Sequence, residues 1–369
     1  MKINKLLIKK NSKNYPIIIG KNILNNIQSI LNSNNIKFNK CLIVADKNVP
    51  KKNLLILKNK IKSKNIVIHL FNPSEKNKNQ NSVNKILEIL LKNNFSRNDI
   101  CICIGGGLSG DVVGFASAIY KRGLKFINIP STLLAQVDSS IGGKNSINSK
   151  KYGKNLIGTF YQPDIVISDI NLLKSLPKRE MICGYGEILK HSIISNKKIF
   201  SFLDKNKSKV LNLKSPYIEK AILESCRIKK KIVELDEKEK NIRKVLNLGH
   251  TFGHAYEATL GYSKKLNHGE AVILGIKTAA KFSLKNNLLS KKNYNIIESH
   301  IEKLEINKKL KDIVNKKNLN KILFFMKSDK KNNSKNINLI LIKDIGKPKI
   351  NLNFKIEKIS KFFINELFN

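Results

Sequence analysis

The run ICICIGGGLSGD at residues 100–111 decides the fold, because five apolar residues lead directly into a cluster of glycines. Cys101 and Cys103 alternate with isoleucines, which predicts a strand that places both cysteines on one buried face. The residues from Asp111 onward have a helical pattern. A strand, glycines and a helix in this order form a phosphate cradle. Without Cβ atoms the backbone approaches the anion closely, and the first N–H groups of the helix face it.

The glycines also satisfy the letters GxGxxG at residues 105–110, but the rest of the dinucleotide fingerprint is missing. That fingerprint opens the first βαβ unit and has an acidic residue about 20 positions later. This chain has Ile129-Pro130-Ser131 there. A purely structural glycine turn therefore stays an alternative. Asp46, at the end of a predicted strand, is a separate candidate for a ribose contact, with a solvated turn residue as the other interpretation.

Around this run, short apolar stretches alternate with helical patterns through the first half of the chain. The predicted strands are 6–8, 17–19, 41–45, 66–71, 100–104, 125–129 and 165–168. The predicted helices between them are 23–31, 51–62, 82–92 and 111–120. This alternation indicates a mostly parallel sheet with crossover helices.

The pattern changes near Leu172, where long amphipathic stretches replace the strands. They predict helices at 179–194, 217–233, 246–259, 269–285 and 294–305, with one late hairpin that pairs 337–342 with 349–354. The sequence therefore predicts an α/β domain over residues 1–171 and a mainly α-helical domain over residues 172–369.

The charge of the chain is extreme, since 70 Lys and Arg residues outnumber 27 Asp and Glu residues and give a formal net charge of +43. Such an excess is typical of proteins with a polyanionic partner. However, the basic residues are scattered in Lys/Asn runs such as 76–79 and 315–318, without interleaved aromatic residues or a recognition motif. We interpret the excess as compositional bias and expect no nucleic-acid partner.

Length and composition favour a globular protein, because 369 residues that are 41% hydrophobic can bury a core. Five cysteines without a CxxC pair fit a reducing compartment. The N-terminal stretch has only three consecutive apolar residues before charges resume, and no run of 18 apolar residues occurs. We therefore expect a cytoplasmic protein without a signal peptide or a membrane partner.

Three of the six histidines fall within 19 residues, at His250, His254 and His268. The first two are four residues apart and would share one helix face. Thr251 stands where the HExxH motif requires glutamate, so protease chemistry is not supported. Glu187 on an earlier helix completes a set of two histidines and one carboxylate, which leaves an open position as in catalytic zinc sites. Ordinary polar or capping histidines are the alternative.

A second unusual run, QVDSSIGGK at residues 136–144, combines small residues with one acid and one lysine, and GKN follows at residues 153–155. These residue types are unfavourable in a core and suit a site that binds an anion. Ordinary loop chemistry explains each run equally well when it is considered alone.

Taken together, seven blocks of sequence resemble the 3-dehydroquinate synthases, which are sugar phosphate cyclases, and the blocks occur in the family's order. They are GGGLSGDVVGFASAIYKRG (105–123), STLLAQVDSSIGGK (131–144), GKNLIGTFYQP (153–163), LPKRE (176–180), GEILK (186–190), NLGHTFGHAYE (247–257) and HGEAV (268–272). Two loops, 148–152 and 262–267, are each one residue longer than in the family. Ser131 replaces a usual threonine, and the segment 73–78 departs from the family's pattern.

The resemblance implies an enzyme that uses NAD catalytically together with a divalent metal. It implies zinc, with cobalt as an alternative, bound by Glu187, His250 and His268, and it places His254 beside them as an acid/base or phosphate-contacting group. The implied NAD contacts are Asp46, Glu75, Lys78, Gly107, Leu108, Ser109, Gly110, Asp111, Ser131, Thr132, Lys144, Lys154, Leu172, Leu173, Lys174 and Ser175. The implied substrate contacts are Asp138, Lys144, Arg122, Asn155, Lys190, Lys229, Arg243 and Asn247, with one of Lys330 and Lys331.

The activity implied is conversion of a small anionic sugar phosphate, 3-deoxy-D-arabino-heptulosonate 7-phosphate, to 3-dehydroquinate and phosphate, by a homodimer. A metal-dependent polyol dehydrogenase or another sugar phosphate cyclase is the nearest alternative. A basic nucleic-acid-binding protein would leave the histidines, Glu187 and the ordered blocks unexplained.

Overall fold

The computed structural model of the chain describes residues 3–10, 12–306, 308–328 and 336–368. The chain folds into two compact units. Unit 1 is Met1–Met181 with Leu213–Lys238, and unit 2 is Ile182–Asn212 with Glu239–Asn369. The division into domains at residues 1–171 and 172–369 stays a prediction, because compactness alone does not define a domain.

Strands dominate unit 1 and helices dominate unit 2. The strands are β1 (Asn4–Ile8), β2 (Tyr15–Gly20), β3 (Lys40–Asp46), β4 (Asn65–Phe71), β5 (Ile100–Gly105), β6 (Lys125–Pro130), β7 (Lys144–Ser149), β8 (Gly153–Phe160), β9 (Ile165–Asp169), β10 (Asn336–Asp344) and β11 (Lys347–Lys355). The helices are α1 (Ile27–Ser33), α2 (Lys51–Lys60), α3 (Gln80–Lys92), α4 (Gly107–Ile119), α5 (Lys178–Ser195), α6 (Lys197–Leu211), α7 (Tyr217–Leu235), α8 (His250–Thr259), α9 (His268–Lys285), α10 (Lys291–Glu302), α11 (Lys308–Ile313), α12 (Leu319–Lys327) and α13 (Ile356–Leu367).

Unit 1 is built on a seven-stranded sheet of order β1-β2-β9-β6-β5-β3-β4, in which only β1 pairs antiparallel. Successive side chains of β3 belong to opposite hydrophobic clusters, with Ile43 in one cluster and Leu42 and Val44 in the other. Both faces are therefore buried, as in parallel sheets covered by helices. Cys101 and Cys103 share one fully buried face, which confirms the predicted strand.

Several boundaries differ from the sequence-based expectations. Helix α4 begins at Gly107 and not at Asp111, so the glycines form its first turn. Helix α8 begins only at His250, because Gly249 before it has a left-handed φ of 79°. The segments around Lys144 and Lys154 pair as the antiparallel hairpin β7–β8 and are not plain loops. The hydrophobic pattern of the sequence did not predict this hairpin, because most of its side chains are polar or exposed and the apolar alternation of a core strand is missing.

Unit 2 confirms the helical character predicted for the later chain, and β10 and β11 form the predicted antiparallel hairpin. Helices α8 and α9 approach closely through glycine. A Cβ atom on Gly275 would lie 2.0 Å from the Gly249 carbonyl oxygen, and one on Gly253 would lie 2.7 Å from the Ala271 carbonyl oxygen. Among the described residues, no helix has both the length and the apolar character needed to cross a bilayer.

Candidate metal and cofactor sites

Three helices of unit 2 present the proposed metal ligands. His250 is the first residue of α8, His254 follows one turn later, and His268 is the first residue of α9. Each offers a ring nitrogen, and these nitrogens lie within 4.8 Å of one another. Glu187 comes from α5, and its Oε1 is 3.8 Å from Nε2 of His250. The structure therefore brings the three predicted ligands and His254 to one place in unit 2.

The carboxylate of Glu187 fits a cation. Its side chain is only 1% exposed, and neither oxygen accepts a hydrogen bond of good geometry from the described residues. The ammonium of Lys190, one helical turn later, contacts Oε2 as an ion pair. Burying a carboxylate without hydrogen bonds is costly, so an additional positive charge at this position would be stabilising.

The two imidazoles are oriented as metal ligands usually are. Nδ1 of His250 lies 3.3 Å from the carbonyl oxygen of Leu248, and Nδ1 of His268 lies 3.1 Å from Oε2 of Glu257. When Nδ1–H donates to an acceptor, the lone pair that remains is on Nε2. Both rings can therefore offer Nε2 to an ion.

Burial and neighbouring charges act differently on the two rings. Burial is the main cause that lowers the pKa of His250 well below its ordinary value, and the Lys190 ammonium lowers the pKa further. Burial also opposes protonation of His268, but its hydrogen bond with Glu257 and the charge of that carboxylate raise the pKa overall. His250 is thus held in the neutral form that binds metals.

The first turn of α4 in unit 1 is a close-packed glycine turn. A Cβ atom on Gly107 would lie 2.7 Å from Oγ of Ser139, and one on Gly105 would lie 2.9 Å from Cβ of Asp46. The first N–H groups of a helix have no intrahelical partner. A small cavity beside this turn is lined by residues that include Gly106, Gly107, Gly110, Ser139 and Lys144. The N–H groups at the start of this helix suit an anionic group such as a phosphate.

Residues at the ends of β3 and β6 support the glycine turn. Oδ2 of Asp46 accepts a hydrogen bond from Oγ of Ser109 at 3.2 Å, and Asp46 is only 6% exposed. The N–H of Ser131 donates to the Gly105 carbonyl oxygen at 2.8 Å, and the methyl of Thr132 lies under Gly106. These three predicted cofactor residues are therefore grouped with Gly107, Leu108, Ser109, Gly110 and Asp111.

A polar network joins α4 to the β7–β8 hairpin. Nζ of Lys78, which is 5% exposed, lies 2.5 Å from both Oδ2 of Asp111 and Oδ1 of Asn155. Burial raises the pKa of Asp111, and the charge of Lys78 opposes that rise. Glu75 pairs with Lys154 at 3.0 Å. The structure thus collects five predicted site residues into one network.

Other predicted residues of unit 1 lie in different surroundings. Nζ of Lys229 contacts Oδ1 of Asp138 at 2.6 Å, and Lys229 is 5% exposed. Arg122 is exposed just after the end of α4, a helix about 20 Å long, so the structure does not place it at the glycine turn. In the short segment after β9, the side chains of Leu172 and Leu173 are buried, whereas those of Lys174 and Ser175 are exposed.

The remaining predicted substrate residues precede α8 in unit 2. Arg243 is 3% exposed, and Nδ2 of Asn247 donates to Oε1 of Glu239 at 2.6 Å. Lys330 and Lys331 lie outside the described residues. Every assignment of a predicted residue to metal, cofactor or substrate stays a prediction.

Sequence reasoning missed two polar groups in unit 2, Glu257 and His191. Glu257 follows His250 by seven residues, a spacing that returns to the same helix face, and it is the last residue of the block 247–257. His191 is fully buried one turn after Glu187, with Nε2 3.9 Å from Oε2 of that carboxylate. Its position on α5, four residues after Glu187, was the available signal.

Comparison with known proteins agrees with the sequence blocks. The family descriptions "3-dehydroquinate synthase N-terminal" and "3-dehydroquinate synthase C-terminal" match residues 68–183 and 184–332. A 3-dehydroquinate synthase of Pelagibacter ubique (strain HTCC1062) is 58% identical over 370 residues, which cover 100% of both chains.

Solved structures share the fold at lower identity. A 2-deoxy-scyllo-inosose synthase, complexed with carbaglucose-6-phosphate, NAD+ and Co2+, has a TM-score of 0.86 and 24% identity, with 98% of this chain and 99% of that chain covered. A 2-epi-5-epi-valiolone synthase from Streptomyces hygroscopicus subsp. jinggangensis 5008, with NAD+ and Zn2+ bound, has a TM-score of 0.83 and 19% identity, with 99% and 98% covered. At these identities, the similarity establishes the fold.

Proposed function

The chain belongs to the 3-dehydroquinate synthase family, and from that membership we propose that it converts 3-deoxy-D-arabino-heptulosonate 7-phosphate to 3-dehydroquinate and phosphate. The reaction is a phosphate elimination with carbocycle formation, a step in aromatic amino acid biosynthesis. The observation that carries the proposal is the buried Glu187 carboxylate beside His250, with His268 oriented to offer Nε2 to the same ion.

We assign the metal to Glu187, His250 and His268, with zinc as the ion and cobalt as the alternative. Two histidines and a carboxylate leave a coordination position for substrate. When bound, the metal would polarise a substrate hydroxyl and NAD would accept and return one hydride. His254 is exposed one turn after His250 and can exchange a proton with the substrate.

The polar groups of unit 1 fit the cofactor and the acidic parts of the substrate. The glycine turn at Gly107–Asp111 would hold the pyrophosphate through those of its N–H groups that lack an intrahelical partner, and Lys78 holds Asp111 and Asn155 in place. Lysine and arginine side chains would pair with phosphate and carboxylate groups, arginine as a bidentate fork. The proposed substrate contacts of unit 1 are Arg122, Asp138, Lys144, Asn155 and Lys229, and those of unit 2 are Lys190, Arg243 and Asn247.

The proposed partner is therefore a small anionic sugar phosphate, and no nucleic acid is involved. We also propose a homodimer in the cytoplasm, as the family resemblance and the five free cysteines suggest. Sedimentation of the purified protein tests the dimer.

The decisive assay compares NADH formed with phosphate released under limiting NAD. Hydride leaves and returns within one turnover, so trace NAD should support many turnovers without a steady rise in NADH absorbance. One NADH accumulating for each substrate consumed would contradict the synthase and favour a polyol dehydrogenase. Omitting the metal, after dialysis against a chelator, is the control for the metal requirement.

A further inference from the structure

Helix α8 carries a buried carboxylate to which the proposed reaction gives no role. Glu257 is 8% exposed and follows His254 by three residues. Its Oε2 is 3.1 Å from Nδ1 of His268, which lies 11 residues later at the start of α9. Carboxylates are seldom buried without a partner, and here one partner is the imidazole of a proposed metal ligand.

We propose that Glu257 is a positioning residue for the metal ion. Its carboxylate accepts the hydrogen bond of Nδ1–H of His268 and so keeps the Nε2 lone pair of that ring available to the metal. The inference rests on the proposed ligand set of Glu187, His250 and His268.

The two ligand histidines are held by different means, which makes the role of Glu257 specific. Nδ1 of His250 faces a main-chain carbonyl, that of Leu248, which the fold itself fixes. His268 is the first residue of its helix, and its side chain is 36% exposed. Without Glu257, this ring would be free to rotate and to adopt the other tautomer, in which Nδ1 carries the lone pair. The side chain of Glu257 thus provides the hydrogen-bond acceptor for Nδ1 of His268, as the Leu248 carbonyl does for Nδ1 of His250.

The negative charge of Glu257 should increase the metal affinity beyond what the hydrogen bond alone provides. A carboxylate that is hydrogen-bonded to Nδ1 raises the basicity of Nε2, the nitrogen that binds the metal. Such hydrogen-bond partners of metal ligands typically contribute about 10–100-fold in metal affinity. A glutamine at this position keeps an oxygen acceptor but lacks the charge. Glu257→Gln should therefore retain part of the affinity that Glu257→Ala loses.

The test measures zinc affinity of the metal-free full-length protein by competition with a chromogenic chelator at fixed pH. We expect about 10–100-fold weaker binding for Glu257→Ala and a smaller loss for Glu257→Gln. Glu270→Ala is the matched control. Glu270 closes the capping box of the same helix α9 through the N–H of Asn267, at 3.0 Å. Its loss should lower stability without weakening zinc binding.

Cobalt absorption gives a second readout that does not depend on turnover. Loss of the negative charge beside Nδ1 of His268 should change the ligand field of bound Co2+ in Glu257→Gln, a near-isosteric variant that tests the proposal if Glu257→Ala does not fold. Wild-type zinc affinity and an unchanged cobalt spectrum in Glu257→Gln and Glu257→Ala would overturn the positioning role.

A third variant separates this proposal from the ligand assignment. If His268→Ala loses zinc while both Glu257 variants keep it, the ligand set stands and the role of Glu257 is wrong. If His268→Ala keeps zinc, the ligand set itself is wrong.

Discussion

His254 lies among the proposed ligands without being assigned as one. Its ring centroid is 5.1 Å from that of His250 and 5.8 Å from that of His268, and its side chain is exposed. Two sets of three ligands are therefore compared: the three histidines, whose ring nitrogens lie within 4.8 Å of one another, and Glu187 with His250 and His268, in which Glu187 approaches His250 to 3.8 Å. The buried carboxylate favours the second set.

The two sets share His250 and His268, so His250→Ala gives the same result for both, whereas His254→Ala distinguishes them. His250→Ala should lose both bound zinc and turnover, because two remaining ligands hold an ion poorly. His254→Ala should keep zinc but turn over about 10²–10⁴-fold more slowly, as loss of a general acid or base does. Metal analysis of the purified variants, together with phosphate release, checks both. A His254→Ala protein that is purified without zinc would favour the three-histidine set.

Besides His191, His300 on α10 is a fully buried histidine. Nε2 of His300 is 2.9 Å from the hydroxyl of Tyr185, and its Nδ1 is 2.9 Å from Oδ1 of Asp204. Burial lowers the pKa of His300 below its ordinary value of 6.5, although the Asp204 carboxylate opposes this effect. The neutral ring thus accepts a hydrogen bond from Tyr185 and donates one to Asp204.

This shift makes stability depend on pH. Because the folded-state pKa is below the unfolded value of 6.5, His300 stabilises the fold fully above pH 6.5. That stability is lost as the pH falls through the folded-state pKa. The free energy of unfolding, measured by urea denaturation, should therefore fall less steeply below pH 6.5 in His300→Gln than in the wild type. Parallel pH profiles for the two proteins would contradict this role.

Site residues were predictable where a local block of sequence or a helical spacing identifies them. The histidines and Glu187 are recognisable from local blocks and helical spacing. The pairing of His300 with Tyr185 and Asp204 joins three helices, and local spacing does not specify which buried polar groups meet across helices. Glu257 was missed for the same reason, even though its own block was recognised.

Among the helices of unit 2, the approach of α8 to α9 determines where the histidines lie. It depends on glycine, since a Cβ atom on Gly275 would lie 2.0 Å from the Gly249 carbonyl oxygen and 2.9 Å from the Gly253 nitrogen. These are backbone atoms, so they cannot move aside as a flexible side chain would.

Gly275→Ala should therefore destabilise the protein by about 1–3 kcal/mol through overpacking, and zinc binding should weaken with it. Chemical denaturation and zinc titration measure the two effects. Gly261→Asn is the control, because a Cβ atom there meets nothing within 4 Å and asparagine tolerates the left-handed φ of 64°. Equal stabilities for Gly275→Ala and Gly261→Asn would refute the close-packing argument.

Elements of the core were predicted well and those at the surface less well. The strands of the parallel sheet have continuous apolar runs because both faces are buried. The β7–β8 hairpin has no such signal, since six of the eight residues of β8 are exposed. Its two strands are defined by their hydrogen bonds to each other, and these cannot be predicted from the pattern of apolar residues.

For the molecule as a whole, the formal charge of +43 is the feature that the proposed reaction least requires. If it reflects compositional bias, duplex DNA should bind weakly and without sequence preference, and moderate salt should nearly abolish binding. Fluorescence anisotropy with two unrelated duplexes over a salt series measures this. Tight and sequence-selective binding at physiological ionic strength would contradict the interpretation.

The membership of α7 in unit 1 was not visible in the sequence, where the predicted helix 217–233 stands between other predicted helices. Lys229 of this helix contacts Asp138, and its Cys226 donates a hydrogen bond to the carbonyl oxygen of Gln136 at 3.4 Å. Helical periodicity identifies an element but not the unit against which it packs. The interleaved order of the two units therefore required the structure.

That interleaving has a consequence for how the chain is made. On the ribosome, the sheet is synthesised first, but the unit that contains it is incomplete until residue 238 has emerged, roughly two thirds of the way along the chain. Until then Asp138 lacks Lys229, and β1 and β2 lack the helix that packs against them. A truncated product that ends after residue 181 would lack α7, and the surface of β1 and β2 that α7 covers would be exposed to proteases and chaperones. The gene is therefore poorly suited to being split into two independently expressed halves at residue 171 or 181.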